Sequence, residues 1–482
     1  MTRLNRSLLE GNEQDRPEKV LQFGTGVLLR ALPDYFINKA NSKGVFNGNI
    51  VVVKSTSRGN ANEFAEQDNL YTIHIKGIED GEEVQTTELV SAVSRVLTAS
   101  DEWSEIQKVA LSEYLQVIIS NTTEVGIELK EDDDLQAHPP VSYPGKLVSL
   151  LWSRFQHYKD NPKGKGLVIL PTELISENGK VLKGIVTQLA EINKLGSAFI
   201  QWLDQENYFC NTLVDRIVPG KLSAEAQKQA DEQAGYVDDL AIMAEPFRLW
   251  AIETDSPKVK EILSFAEVDK GVVITPDITK FKELKLRLLN GSHTFSCALA
   301  ILSGFTTVKE AMQHPDFLKY IDTLLNGEIV PSIVGSVIQE DEAKDFAKSV
   351  VDRFSNPFLN HQWQSISLNY TSKMELRNVP LIEAYTKRKG AVPQCMALGF
   401  AAYLLLLKKQ TNTQDAHAPR ISQLWEENST EQLVDLVLAE EELGLTRLQS
   451  VPGFADAVKQ FINDLENEDP KAVIKQLNQS HR

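Results

Sequence analysis

Lys285, Asn290 and His293 place an amine, an amide and an imidazole within nine residues of helical periodicity, in an otherwise apolar setting. At about 100° per residue, Asn290 stands roughly 140° and His293 roughly 80° around a helix axis from Lys285, so all three can project into one cleft. Such a trio suits proton transfer beside a carbonyl. A lysine acts as a general base only when neutral, a state that burial or a cationic neighbour favours. The same residues also admit a structural reading, with Lys285 snorkelling to solvent, Asn290 bonding a backbone carbonyl and His293 satisfied inside a core.

The elements that must position them follow from pattern. A chain of 482 residues exceeds what one hydrophobic core organises, which predicts two or three domains with clefts between them. Short β-branched runs at residues 20–23, 50–53, 115–120 and 167–170 alternate with helical patterns and predict a Rossmann-type, doubly wound parallel sheet. Further extended runs at 71–76, 247–253 and 272–274 are expected to enlarge that sheet. After Pro276 the periodicity becomes helical, at 280–302, 316–326, 340–354 and 393–408. The fold class is therefore α/β, with an N-terminal sheet domain over 1–276 and a mainly α-helical domain over 277–482.

The first strand runs into Phe23, Gly24, Thr25, Gly26, Val27 and Leu28, a turn suited to close approach by a phosphate and feeding a helix. Leu29 stands where a dinucleotide fingerprint has its third glycine, so the motif alone reads equally as a plain strand-to-helix turn. Arg30 can meet phosphate from that helix or lie on its surface. After the second strand, Lys54 and Arg58 replace the acid that commonly meets the adenosine ribose of NAD, a change that leans toward NADP. Asn121, Thr123 and Glu124 follow a third strand, where Asn121 and Thr123 can hold a nicotinamide ribose or cap a turn.

Composition excludes other classes. With 50 Lys and Arg against 67 Asp and Glu, the formal charge of -17 disfavours nucleic acid and anionic membranes as partners. No apolar run is long enough to span a bilayer, and the polar first residues predict a cytoplasmic protein. Cys210, Cys297 and Cys395 are widely spread and predict buried thiols rather than disulfides. No local metal-ligand spacing is present among the eight histidines, so no metal is expected.

Gly24-x-Gly26 with Arg30, Thr123-Glu124-x-Gly126, Val214-Asp215-Arg216-Ile217 and the Lys285, Asn290, His293 spacing together resemble the polyol-specific long-chain dehydrogenases, a family that includes mannitol dehydrogenases. More narrowly, the segments 142–147, 199–205 and 356–373 are similar to the branch that reduces the sugar-acid ketone tagaturonate to altronate. The resemblance implies a metal-independent, NAD-dependent oxidoreductase acting as a monomer, with its active site between the two domains. It implies Lys285 as general acid and base, Asn290 as donor to the reacting oxygen, His293 as a hydroxyl contact and Asp215 as a substrate-orienting group.

Two departures stand out from the mannitol dehydrogenase pattern. Where those enzymes place a second oxyanion-site amide, this chain reads Pro171-Thr172-Glu173, with Asn178 nearby as a less direct substitute. The arginine eight residues before the lysine corresponding to Lys373 is here Ser365. A substrate carboxylate asks for cations, and Lys373 and Arg377 are the candidates, though one helical turn could equally set them on a surface. The rivals to the altronate reaction are fructuronate reduction, a mannitol-type polyol oxidation, and a non-catalytic sensor of a sugar acid or nucleotide.

Overall fold

A computed structural model describes residues 1–8, 16–55, 62–122, 126–409 and 414–480. They form two compact units, one of residues 1–76 with 84–278, the other of residues 77–83 with 279–482. In the first unit, six strands build the main sheet: β1 (Glu18–Phe23), β2 (Asn49–Lys54), β3 (Val93–Thr98), β4 (Val117–Ser120), β5 (Val168–Pro171) and β6 (Tyr208–Phe209). They lie in the order β3-β2-β1-β4-β5-β6, and every pairing is parallel. This is the dinucleotide-binding order, whose reversal between β1 and β4 opens a crevice at the carboxyl ends of the strands.

Both faces of that sheet are covered, which is why its strands read as continuous β-branched runs. Val20, Val52, Ile119 and Leu170 enter one core, whereas Leu21, Val51, Ile118 and Ile169 enter the other, as a period of two requires. The second core is closed by Trp103, Leu147 and Leu182, from helices Ala99–Leu111, Tyr143–His157 and Asn178–Ile192. Strand β3 escapes detection in the sequence because Ser94, Arg95 and Thr98 interrupt it at the half-exposed sheet edge.

The additional extended runs do not enlarge this sheet, contrary to expectation. Tyr71–Glu79 lies between Ile242–Ala244 and Glu82–Val90, and Leu249–Glu253 lies between Thr212–Asp215 and Val272–Thr275, in two separate three-stranded sheets. At the start of the second of these sheets, the Asn178 amide accepts from Thr212 N at 2.9 Å and donates to Thr212 O at 3.2 Å.

The second unit is helical from Thr279 onward. Helix Gln394–Lys409 is buried at every residue from 395 to 407, the pattern of a central core helix. It packs directly on helix Ser292–Leu302: a Cβ at Gly399 would sit 2.5 Å from the Phe295 carbonyl oxygen. Among the described residues, no helix is long and apolar enough to cross a membrane.

Among its described residues, three helices of this unit widen into π turns, at Lys285–Gly291, Thr323–Ile329 and Met374–Asn378. The first corrects the uniform 100° spacing expected for residues 280–302. Bonding from residue i to i+5 widens the turn and lowers the angle per residue, which brings Asn290 closer in line with Lys285 than the uniform spacing places it. Carbonyls near the widening are met by side chains: Ser292 Oγ donates to Leu288 O at 2.5 Å, and Thr294 Oγ1 donates to Asn290 O at 2.8 Å. Arg287 Nη1 then donates to the carbonyls of Leu376 and Arg377, at 2.9 and 2.8 Å, tying the first widened segment to the third.

Candidate active site

Parallel register aligns the carboxyl ends of β1, β2, β4 and β5. Phe23 pairs with Val53 on one side and Ser120 on the other, and Ser120 pairs with Pro171. Gly24, Lys54, Asn121 and Glu173 consequently emerge along one edge. Gly24 adopts φ +132°, and a Cβ there would meet Leu29 at 2.8 Å, so the leucine occupies space that only glycine leaves open. A Cβ at Gly26 would meet nothing within 4 Å, which leaves its backbone open to a ligand. Thr25, Val27 and Leu28 are partly exposed around that approach.

Arg30 does not fit a phosphate contact. Its side chain is buried, donates to the Leu240 carbonyl and lies 4.3 Å over the Tyr71 ring, so it braces the interior beneath the turn. Lys54 is buried at the end of β2. Asn121 donates through Nδ2 to Thr172 O at 3.0 Å and to Thr172 Oγ1 at 2.9 Å, joining the ends of β4 and β5. Arg58, Thr123 and Glu124 lie outside the described residues.

Glu173 is buried and its carboxylate is held by donors. It accepts from Thr122 N at 2.9 Å, Thr122 Oγ1 at 3.0 Å and Ser120 Oγ at 3.2 Å. Three donors spread the charge of a carboxylate that desolvation alone would disfavour. Asn178 is no substitute oxyanion donor, since Nδ2 reaches the carbonyls of Pro171, Glu173 and Thr212 at 3.0, 3.0 and 3.2 Å. Beside this cluster, burial pushes the Tyr143 hydroxyl above its ordinary value, with the Glu173 charge adding to the effect. Asp215 is buried at the end of its strand, while Arg216 donates to Glu245 O and Ala31 O and lies over the Tyr35 ring.

In the helical unit, Lys285 and Asn290 occupy the first π segment and His293 begins the α-helix that follows. Lys285 and Asn290 are partly exposed and His293 is buried. The His293 ring stacks on Phe354 at 4.0 Å, with His361 at 5.3 Å and Trp363 at 6.0 Å standing edge-on. Among the described residues its Nε2 has no hydrogen-bond partner, which leaves one polar atom of a boxed ring for a ligand. Burial holds this imidazole well below its ordinary pKa, and His361, Arg353, Arg377 and Lys373 act in the same direction.

Lys373 and Arg377 are not a surface pair. Arg377 Nη1 donates to Thr294 Oγ1 at 3.3 Å, next to His293 in sequence, and Lys373 Nζ donates to Ile366 O at 2.9 Å. Burial and the Arg377 charge lower the Lys373 pKa, and burial lowers that of Arg377. Lys285 and Asn290 thus lie on the π segment just before His293, and around that ring the helical unit brings Lys373 and Arg377 and adds Arg353 and His361, which sequence reading missed. Nothing in the local pattern marks either, because their place beside His293 is made by packing. Cys210, Cys297 and Cys395 are free and buried, and no group of metal ligands occurs among the described residues.

A six-stranded sheet in this order, a glycine turn at its switch point and a lysine-amide-imidazole set on a helical unit define a dinucleotide-dependent dehydrogenase architecture. Comparison with known families narrows it. Residues 18–263 match the model of the mannitol dehydrogenase Rossmann domain and residues 277–466 that of the mannitol dehydrogenase C-terminal domain. The chain belongs to the mannitol dehydrogenase family. It is 35% identical over 469 residues to the altronate oxidoreductase of Bacillus subtilis strain 168, covering 96% of each chain. It is 36% identical over 479 residues to that of Escherichia coli strain HS, covering 97% of each. Among solved structures, it superposes on a substrate-free D-sorbitol dehydrogenase with a TM-score of 0.76 at 21% identity, covering 95% of each chain. On the Pseudomonas fluorescens mannitol 2-dehydrogenase complex with NAD and D-mannitol, the TM-score is 0.67 at 23% identity, covering 99% of each.

Proposed function

We propose that this chain interconverts D-tagaturonate and D-altronate by hydride transfer with NAD(H). The observation that carries the reading is 35% identity to an altronate oxidoreductase over 96% of both chains, in a chain that keeps Lys285, Asn290 and His293 together. The open backbone at Gly26 and the positive φ at Gly24 fit a cofactor pyrophosphate, with Phe23, Thr25, Val27 and Leu28 around it and Lys54 and Asn121 beside it. When bound, the cofactor supplies or accepts the hydride.

The chain's own residues manage the charge that results. In reduction, the carbonyl electron pair moves onto oxygen and Lys285 donates a proton to it; in oxidation, neutral Lys285 takes that proton back. The Asn290 amide donates to the same oxygen as its negative charge grows, a contribution of about 3 kcal/mol. His293, neutral through the working range, offers Nε2 to a substrate hydroxyl. Lys373 and Arg377 meet the substrate carboxylate.

The test is a ketone panel read with NADH and NADPH separately. Tagaturonate with NADH is the expected pair, with altronate as product. Consumption of NADH with fructuronate but not tagaturonate overturns the assignment, and a preference for NADPH overturns the cofactor.

A further inference from the structure

A helix that packs on a sheet normally buries an apolar stripe, and helix Ala224–Ala234 of the sheet unit does not: it has no buried residue. Its Ala226, Ala230 and Ala234 recur at four-residue spacing, which sets them on one face, and all three line a cleft of about 430 Å³. Across that cleft Thr72, His74 and Lys76 of strand Tyr71–Glu79 alternate at a period of two and so share one face of their sheet. Alanine leaves open the space that a leucine would fill. Every lining residue belongs to the sheet unit, and none is among those delivered to the edge with Gly24, Asn121 and Glu173.

The cleft is closed at its floor and open at its rim. Thr72 and His74 are 7% and 8% exposed, whereas Gln85, Thr87, Gln229 and Gln233 are exposed. Among the described residues Thr72 Oγ1 is buried with no hydrogen-bond partner, a cost that a ligand hydroxyl relieves. The acids of the lining are already engaged. Asp238 Oδ2 accepts from Thr72 N at 2.7 Å, and Oδ1 accepts from Gln67 Nε2 at 2.8 Å and Leu240 N at 3.0 Å. Asp231 Oδ1 accepts from Gln227 Nε2 at 2.8 Å and Asp238 N at 3.2 Å. These two carboxylates balance Lys76, so the lining calls for neither an anion nor a cation. Burial and the Lys76 charge hold His74 below its ordinary pKa, and a neutral imidazole offers one donor and one acceptor. Three threonines and four glutamines make up most of the remaining polar lining, and these groups also donate and accept. We propose that this cleft is a second small-molecule site, taking a neutral polyhydroxylated compound of polyol or sugar type, whose hydroxyls match a lining that donates and accepts throughout.

Saturation-transfer NMR on the full chain, loaded with NADH, tests this with D-sorbitol as the probe. Wild type is expected to bind it with a Kd on the order of millimolar, since the rim is open. Thr72→Val keeps the shape of the floor and removes its hydroxyl, which lowers affinity about fivefold. Ala230→Leu fills the cleft from a helix position that tolerates leucine, and lowers affinity about 10-fold or more. NADH affinity and Tm stay at the wild-type values in both variants. Absence of a sorbitol signal from wild type, or unchanged affinity in either variant, overturns the inference. Displacement of bound sorbitol by equimolar inorganic phosphate also overturns it, because the cleft would then be an anion site. The readout involves no turnover, so it stands or falls independently of the tagaturonate reaction.

Discussion

The two units solve the problem of placing polar groups in opposite ways. The sheet unit does it by register: parallel strands end together, and Gly24, Asn121 and Glu173 are delivered to one edge by backbone pairing. The helical unit, over its described residues, instead widens helices, which changes the spacing of side chains around the axis and leaves carbonyls to accept from side chains. Function at a strand edge is therefore sensitive to backbone conformation, whereas function on a widened helix depends on individual side chains.

That contrast can be broken most sharply at Lys285. Lys285→Ala is expected to lower kcat for tagaturonate reduction by about 10³-fold or more, with NADH affinity, read by fluorescence titration, within twofold. Near-normal turnover would remove the lysine from the chemistry. Asn290→Ala comes next, at about 10²-fold in kcat with little change in KM, because its hydrogen bond strengthens as charge develops on oxygen.

On the sheet unit the expected signature differs. Gly24→Ala forces a side chain into φ +132° against Leu29 and should weaken NADH binding about 10-fold, while kcat at saturating NADH stays near wild type. A kcat loss with unchanged NADH affinity would contradict the division of labour. The smallest effect concerns stability. Burial raises the Asp34 carboxyl to about 7, although Tyr71, Gln22 and Arg30 ease it. Its folded value lies above its unfolded one, so the contribution is complete at low pH and is lost as pH rises from about 4 through 7. Asp34→Asn should raise Tm by a few degrees at pH 8 and leave it nearly unchanged at pH 4, as measured by calorimetry.

Legibility in sequence followed the same contrast. β-branched runs marked β1, β2, β4 and β5 because both their faces are buried, and the Gly24 turn was visible from its position after β1. Strand β3 was not, since polar side chains interrupt it, and the runs at 71–76, 247–253 and 272–274 were read as extended but not as separate sheets, which long-range pairing decides. Lys285, Asn290 and His293 were legible by type and spacing, but the π widening was not, because a uniform helical period describes the apolar positions equally well. Arg30 misled for the opposite reason: charge suggested a surface, and only the fold shows the Tyr71 ring and Leu240 carbonyl that bury it. Arg353 and His361 owe their place to tertiary packing alone.

The central claim is a hydride passed directly between NADH and a sugar-acid ketone, and isotope transfer tests it most directly. Tagaturonate is reduced with NADH carrying deuterium at both C4 positions, in ordinary water, and the product is read by mass spectrometry. The account predicts altronate one mass unit heavier, labelled at the former carbonyl carbon. Unlabelled altronate, or no altronate at all, would contradict it.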